Sequence, residues 1–162
     1  MLPIGNFWKG TRMDTPPTSP GEIAAEIPAE VAEQFRSPFD SLYGLRVTSA
    51  STDRVTAEVA LEAKHHQPYG IVHGGVFASM IEAACSIGAS VWAGVNGHGA
   101  GAMGLSNHTD FLRSGKEGTI TVTATRIQSG GTLQLWEATV TDQAGEALAH
   151  GKVRLMNVKP KG

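Results

Sequence analysis

Residues 67–90 read QPYGIVHGGVFASMIEAACSIGAS. Turn-forming residues and a glycine pair, Gly74 and Gly75, precede an apolar run, and Glu82 sits inside that run. A core helix favours Leu or Ala at such a place. At about 100° per residue, residues 75–93 form one helix with two unlike faces. Val76, Phe77, Met80, Ala84, Ile87 and Val91 gather opposite Glu82, while Gly75, Ala78, Ser79, Ser86, Ala89 and Ala93 flank it. The bulky face suits a sheet. The small face lacks the Lys, Glu and Arg of a solvated helix surface. A second subunit, a bound molecule or both are therefore expected to cover it.

The flanking sequence supplies the sheet. Upstream, YGLRVTSAS (43–51) and DRVTAEVAL (53–61) are rich in β-branched residues and are split by the turn-forming STD. Downstream, period-two alternation and turn residues predict four strands over about 102–112, 117–128, 131–142 and 146–157. The order is two strands, one helix, four strands: an α+β domain with an antiparallel sheet around one long helix. The domain is expected over residues 28–158, with a mobile tail over 1–27 and a short one over 159–162. PAEVAEQFR (28–36) opens on a proline suited to a helix's first turn and reads as a short helix.

Composition narrows the function classes. The 162 residues carry a formal net charge of -2, against a dedicated nucleic-acid binder. No apolar run approaches the roughly 20 residues of a membrane span. A single cysteine, Cys85, excludes an intramolecular disulfide framework and agrees with a reducing, cytoplasmic setting.

Glu82 could be a solvated or salt-bridged acid, but its neighbours favour chemistry. Ser86 lies at i+4 on the same face. The glycine pair falls at the helix start, where the first N–H groups have no helical partner and suit a developing oxyanion. His73 reads as a residue that bonds backbone and fixes the loop. His65 and His66 are adjacent, so their side chains diverge and make a poor metal pair; no metal is expected. His108 and Asp110 share a strand face, lining a pocket or meeting a partner subunit. Cys85 reads as a packing residue, and Trp92 and Trp136 as core or interface.

GIVHGG with an acid eight residues after the first glycine of its pair, Gly74, followed by GLSNHTDFLR (104–113), resembles the hotdog-fold acyl-CoA thioesterases. The similarity is to the Arthrobacter-type 4-hydroxybenzoyl-CoA and phenylacetate-pathway thioesterases, over residues 39–157. The resemblance implies a hotdog fold and hydrolysis of an aromatic or medium-chain acyl-CoA, with CoA part of the substrate and no separate cofactor. It makes Glu82 the catalytic carboxylate, as nucleophile or general base. It makes Gly74 the oxyanion N–H, Gln67 the carbonyl-orienting amide and Ser86 the hydroxyl that positions water, where the family has threonine. His73 and Gly75 border the substrate. Arg113 and Thr132 match contacts to the CoA nucleotide, and Gly131 stands where a close relative has serine. It further implies a homodimer or homotetramer with sites shared between subunits. A non-catalytic acyl-CoA-binding protein and a hydroxyacyl-thioester dehydratase are the competing readings.

Overall fold

In a computed structural model, residues 37–159 and Val31 are described. The expected tails apart from Lys159, and the helix expected over 28–36 apart from Val31, lie outside them. The order is α1 (Pro38–Leu42), β1 (Arg46–Ala50), β2 (Arg54–Ala60), α2 (Gly74–Val95), β3 (Gly101–Phe111), β4 (Thr119–Ser129), β5 (Leu133–Thr141) and β6 (Ala147–Val158). Six strands form one sheet in the order β1-β2-β4-β5-β6-β3, every pair antiparallel. The chain leaves β2, runs through α2 and returns at the far edge as β3. The sheet thus wraps the helix, and the fold is a hotdog, as expected.

The pleat explains the wrapping. Val55, Ala57 and Val59 on β2, Ile120, Val122 and Ala124 on β4, and Trp136, Ala138 and Val140 on β5 alternate into the interior. They meet Phe77, Met80, Ile81, Ala84, Ile87 and Val91 of α2 in one core. The buried arc of the helix is wider than the periodicity implied. Ala89 and Ala93, placed beside Glu82, are fully buried by this chain's own sheet. On the Glu82 side, Ser79, Glu82, Ala83, Ser86 and Ser90 are left half-buried. By length and composition α2 could also cross a bilayer, contrary to the sequence expectation, but most of that stretch is buried within the wrapping sheet.

Two local features escape period-based reading. In α1, Ser37 accepts from the Asp40 N–H while the Asp40 carboxylate accepts from the Ser37 N–H, a reciprocal cap behind Pro38. Five residues are too few to show a period. At the other end of the sheet, Gln134 is buried and donates to Ala89 O on α2 (2.9 Å) and Asn157 Oδ1 on β6 (2.7 Å). Its own Oε1 accepts from Trp136 Nε1 (2.9 Å). Asn157 in turn donates to Gly130 O (2.9 Å), and its N–H to Thr132 O (2.8 Å). A polar chain thus ties the β4–β5 hairpin to the helix.

Candidate functional site

The turn before α2 sets up the helix entrance. Gly70 holds φ 73°, a left-handed conformation that favours glycine, in a turn closed by Gln67 N–H to Ile71 O (2.9 Å) and Gly70 N–H to Gln67 O (2.9 Å). His73 N–H donates to His65 O (2.8 Å), which docks the turn on the segment before it. His73 then caps the helix: its Nδ1 accepts from the Gly75 N–H at 2.9 Å. The backbone-fixing role read for His73 is the observed one. With Gly75 capped and the Val76 N–H on His73 O (2.9 Å), Gly74 N–H has no partner among the described residues.

That N–H borders an open cleft of about 320 Å³ lined by Gln67, Gly74, Phe77, Phe111, Leu112 and Arg113, among others. Phe111 crosses over Gly74, and a Cβ at Gly74 would lie 2.8 Å from its ring. A side chain at this position would have to push the exposed phenyl group aside. The carboxamide of Gln67 has no hydrogen-bond partner among the described residues, so both donors at this entrance are unspent. On the other side of the entrance, His73, Gly75 and Ser79 border a second cleft of about 420 Å³ with Phe39, Leu42 and Tyr43.

Glu82 lies deeper along the helix. Ser86 Oγ donates to its Oε1 at 3.4 Å, the i+4 contact expected. Asn107 on β3 donates from Nδ2 to Glu82 Oε2 at 3.2 Å. The expectation that carboxylate, hydroxyl and free N–H converge within this segment is only partly met. Eight residues of helix separate Gly74 from Glu82, a rise of about 12 Å, too far for one carbonyl group to meet both.

The residues matched to the CoA nucleotide are also divided. Arg113 follows the end of β3 beside the first cleft, where it forms an exposed ion pair with Glu146. Gly131 and Thr132 lie in the β4–β5 hairpin, next to His98 and the far end of α2. The nine residues of β5 separate the two ends of the sheet by roughly 30 Å. Within one chain, Arg113 does not join Gly131 and Thr132.

The residues set aside have clear places. His65 is buried, with Nδ1 accepting from Glu62 N–H (2.8 Å) and Nε2 facing Tyr43 O (2.9 Å), whereas His66 turns to Lys116 O (2.6 Å). The pair diverges, as adjacent side chains should. Cys85 is buried, and its thiol pKa is pushed well up by desolvation first and by the charges of Glu82 and Glu137 second. That favours a packing thiol over a nucleophile. Trp136 is fully buried, and Trp92 stacks on His98 with centroids 5.1 Å apart.

Asn107 and Gly104 were missed by the sequence reading, although both lie in the segment GLSNHTDFLR singled out there. A Cβ on Gly104 would overlap Glu82 Oε1, so the bare strand makes room for the carboxylate. His108 and Asp110 share a strand face, but Asn107 and Phe111 take the side towards α2, so that pair points away from it.

Comparison with known proteins agrees with this fold. The family model described as Thioesterase superfamily matches residues 69–149. Rv1847 of Mycobacterium tuberculosis, named as a conjectured esterase, is 39% identical over 124 residues, covering 76% of this chain and 89% of its own length. Its structure matches with a TM-score of 0.73 at 38% identity, over 78% of this chain and 100% of that one. The 1,4-dihydroxy-2-naphthoyl-CoA hydrolase of Listeria monocytogenes is 31% identical over 105 residues, 65% of this chain and 83% of its own. The PaaI protein of the E. coli phenylacetic acid operon shares the fold, with a TM-score of 0.72 at 18% identity over 82% and 93% of the two chains. None of these likenesses singles out the 4-hydroxybenzoyl-CoA or the phenylacetate branch.

Proposed function

The chain belongs to the Thioesterase superfamily, and from that premise we propose that it hydrolyses an aromatic or medium-chain acyl-CoA to the free acid and CoA. The observation that carries the reading is a half-buried helix carboxylate held on both oxygens, together with an unspent N–H and carboxamide at the helix entrance. The Listeria relative named as a CoA thioester hydrolase supports the substrate class.

The roles follow from the chemistry. Hydrolysis cleaves the acyl carbon–sulfur bond, adds oxygen from water to the acyl group and returns a proton to the CoA thiolate. Gly74 N–H and the Gln67 carboxamide donate to the carbonyl oxygen as it becomes an oxyanion; losing such a donor costs about 2.7–4 kcal/mol of barrier. Glu82 supplies the attack, directly as nucleophile or by taking a proton from water beside Ser86. Arg113, Gly131 and Thr132 would meet the CoA nucleotide, and His73 and Gly75 the acyl side.

A second copy would bridge the separation of Gly74 from Glu82. β3 is an edge strand, with Met103, Leu105, Phe111 and Leu112 exposed along and just beyond it. A long apolar edge is a pairing surface. Antiparallel pairing of two β3 edges brings the Phe111 end of one chain to the Gly101 end of the other. The Gly74 cleft of one chain then approaches Glu82 of the other. A homodimer, or a tetramer built from it, is the expected assembly, and the single Cys85 agrees with a reducing, cytoplasmic setting.

The test is a panel of aryl- and alkyl-CoA thioesters assayed by free-thiol release, with Glu82→Ala as the control. Turnover should fall at least about 1,000-fold in a folded Glu82→Ala protein. Near-normal hydrolysis by that variant overturns the reading. Tight acyl-CoA binding with no release favours a binding protein, and hydration of an enoyl-CoA favours the dehydratase.

A further inference from the structure

Asn107 makes three hydrogen bonds, two of them to the helix. Its Nδ2 donates to Glu82 Oε2 (3.2 Å) and to Ala78 O (3.1 Å), and its Oδ1 accepts from Thr109 Oγ1 (2.7 Å). The chemistry of the partners fixes the orientation of the amide. Turned over, it would set Oδ1 against a carboxylate and a carbonyl, two acceptors facing an acceptor.

A strand irregularity makes the grip possible. The β3–β6 pairing runs Gly104 opposite Leu155 and Ser106 opposite Arg154, leaving Leu105 as an extra residue in a bulge. Gly104 and Asn107, three apart, therefore both face α2, where a regular strand would turn them to opposite sides. Gly104 leaves space at Oε1 and Asn107 donates to Oε2. Without Asn107 the carboxylate would keep, among the described residues, the longer contact from Ser86, at 3.4 Å.

We propose that Asn107 is a positioning residue that aims the Glu82 carboxylate at the thioester, and that Thr109 locks the Asn107 amide in its donating orientation. The proposal rests on the reading of Glu82 as the catalytic carboxylate. A glutamate side chain turns about three bonds, so an attacking oxygen must be held by its surroundings. The hydrogen bond from Nδ2 to Oε2 fixes it.

The experiment compares Asn107→Leu, Asn107→Asp, Thr109→Val, Glu82→Gln and the Glu82→Gln/Asn107→Leu double variant in acyl-CoA hydrolysis. Asn107→Leu should lower kcat about 10- to 100-fold with little change in KM, the range spanned by losing a hydrogen bond to a charged group. Thr109→Val should lower kcat by a smaller factor. Asn107→Asp sets a second carboxylate beside the first and should move the acid limb of the pH–kcat profile upward, a shift that a merely structural role would not produce. In the double variant, Asn107→Leu should add no loss to that of Glu82→Gln.

Wild-type kcat in folded Asn107→Leu, with Glu82→Gln inactive, refutes the positioning role and leaves Glu82 standing. Full activity in Glu82→Gln instead removes the catalytic reading on which the proposal depends. Should Asn107→Leu fail to fold, the Asn107→Asp profile and Thr109→Val kcat decide: an unmoved acid limb and unchanged kcat overturn the proposal.

Discussion

Replacing Gly104 by alanine should impair the proposed thioester hydrolysis without unfolding the protein. An added Cβ would overlap Glu82 Oε1, well inside the 3.0 Å that real Cβ atoms keep from their neighbours. One of the two must give way. The strand backbone is paired with β6 at Leu155, whereas Oε1 is the far end of a half-buried, flexible side chain. The carboxylate is therefore the part that moves, by about 1 Å, at small cost to folding. Misplacing a reacting group on that scale costs roughly 100-fold in rate. The expected result is a kcat lowered about 100-fold with KM and the urea midpoint near those of the wild-type protein. The assay is thiol release under saturating acyl-CoA, with urea unfolding in parallel at the same protein concentration. Wild-type kcat in Gly104→Ala would refute the reasoning. A large drop in stability would show that the strand, not the carboxylate, absorbs the clash.

Further outcomes test other parts of the molecule. Gln67→Ala should reduce kcat more than it weakens CoA binding, measured by product inhibition; the reverse would make Gln67 a packing residue. Mixing and refolding Glu82→Ala with Gln67→Ala chains should give activity above that of either variant alone, because each mixed dimer holds one intact shared site; no gain would argue against shared sites. Gly88→Ala should destabilise the fold by about 1–3 kcal/mol through overpacking, because a Cβ there would lie 2.5 Å from the indole of fully buried Trp136; an unchanged urea midpoint would count against it. Cys85 stays protonated in the folded protein above its ordinary 9.0, so unfolding is increasingly favoured as pH rises past 9. Cys85→Ala should remove up to about 1.4 kcal/mol per pH unit of that alkaline decline, and an unchanged slope between pH 9 and 10 would contradict the cause assigned.

The fold was legible because its signals are periodic. The helix read over 75–93 spans Gly74–Val95, and the four later strands fall within about two residues of their expected ends. Glu82, Ser86 and Gly74 were legible because a carboxylate on a small helix face, a hydroxyl at i+4 and a glycine at a helix start are local facts. The contacts across elements were not. Asn107 stands 25 residues from Glu82, and its facing depends on a bulge at Leu105 that leaves no mark in an alternating pattern. Period two assigns Gly104 to the side of His108 and Asp110, and the extra residue moves it to the side of Asn107. The distance between Gly74 and Glu82 could have been counted from the sequence, since it needs only the helix rise. The covering of Ala89 and Ala93 could not, because it depends on how far the sheet curls.

The chain of bonds through Gln134 gives the β4–β5 hairpin a mechanical standing that its exposed glycines hide. Gly130 and Thr132 hang from Asn157, Asn157 from Gln134, and Gln134 from the carbonyl of Ala89 on the helix that carries Glu82. The tip of the hairpin is anchored in the core, not left as a free loop. Its backbone amides should therefore exchange with deuterium on the timescale of helix opening, in one cooperative unit. A ligand pressing on Gly131 or Thr132 pushes against the same beam that holds the carboxylate.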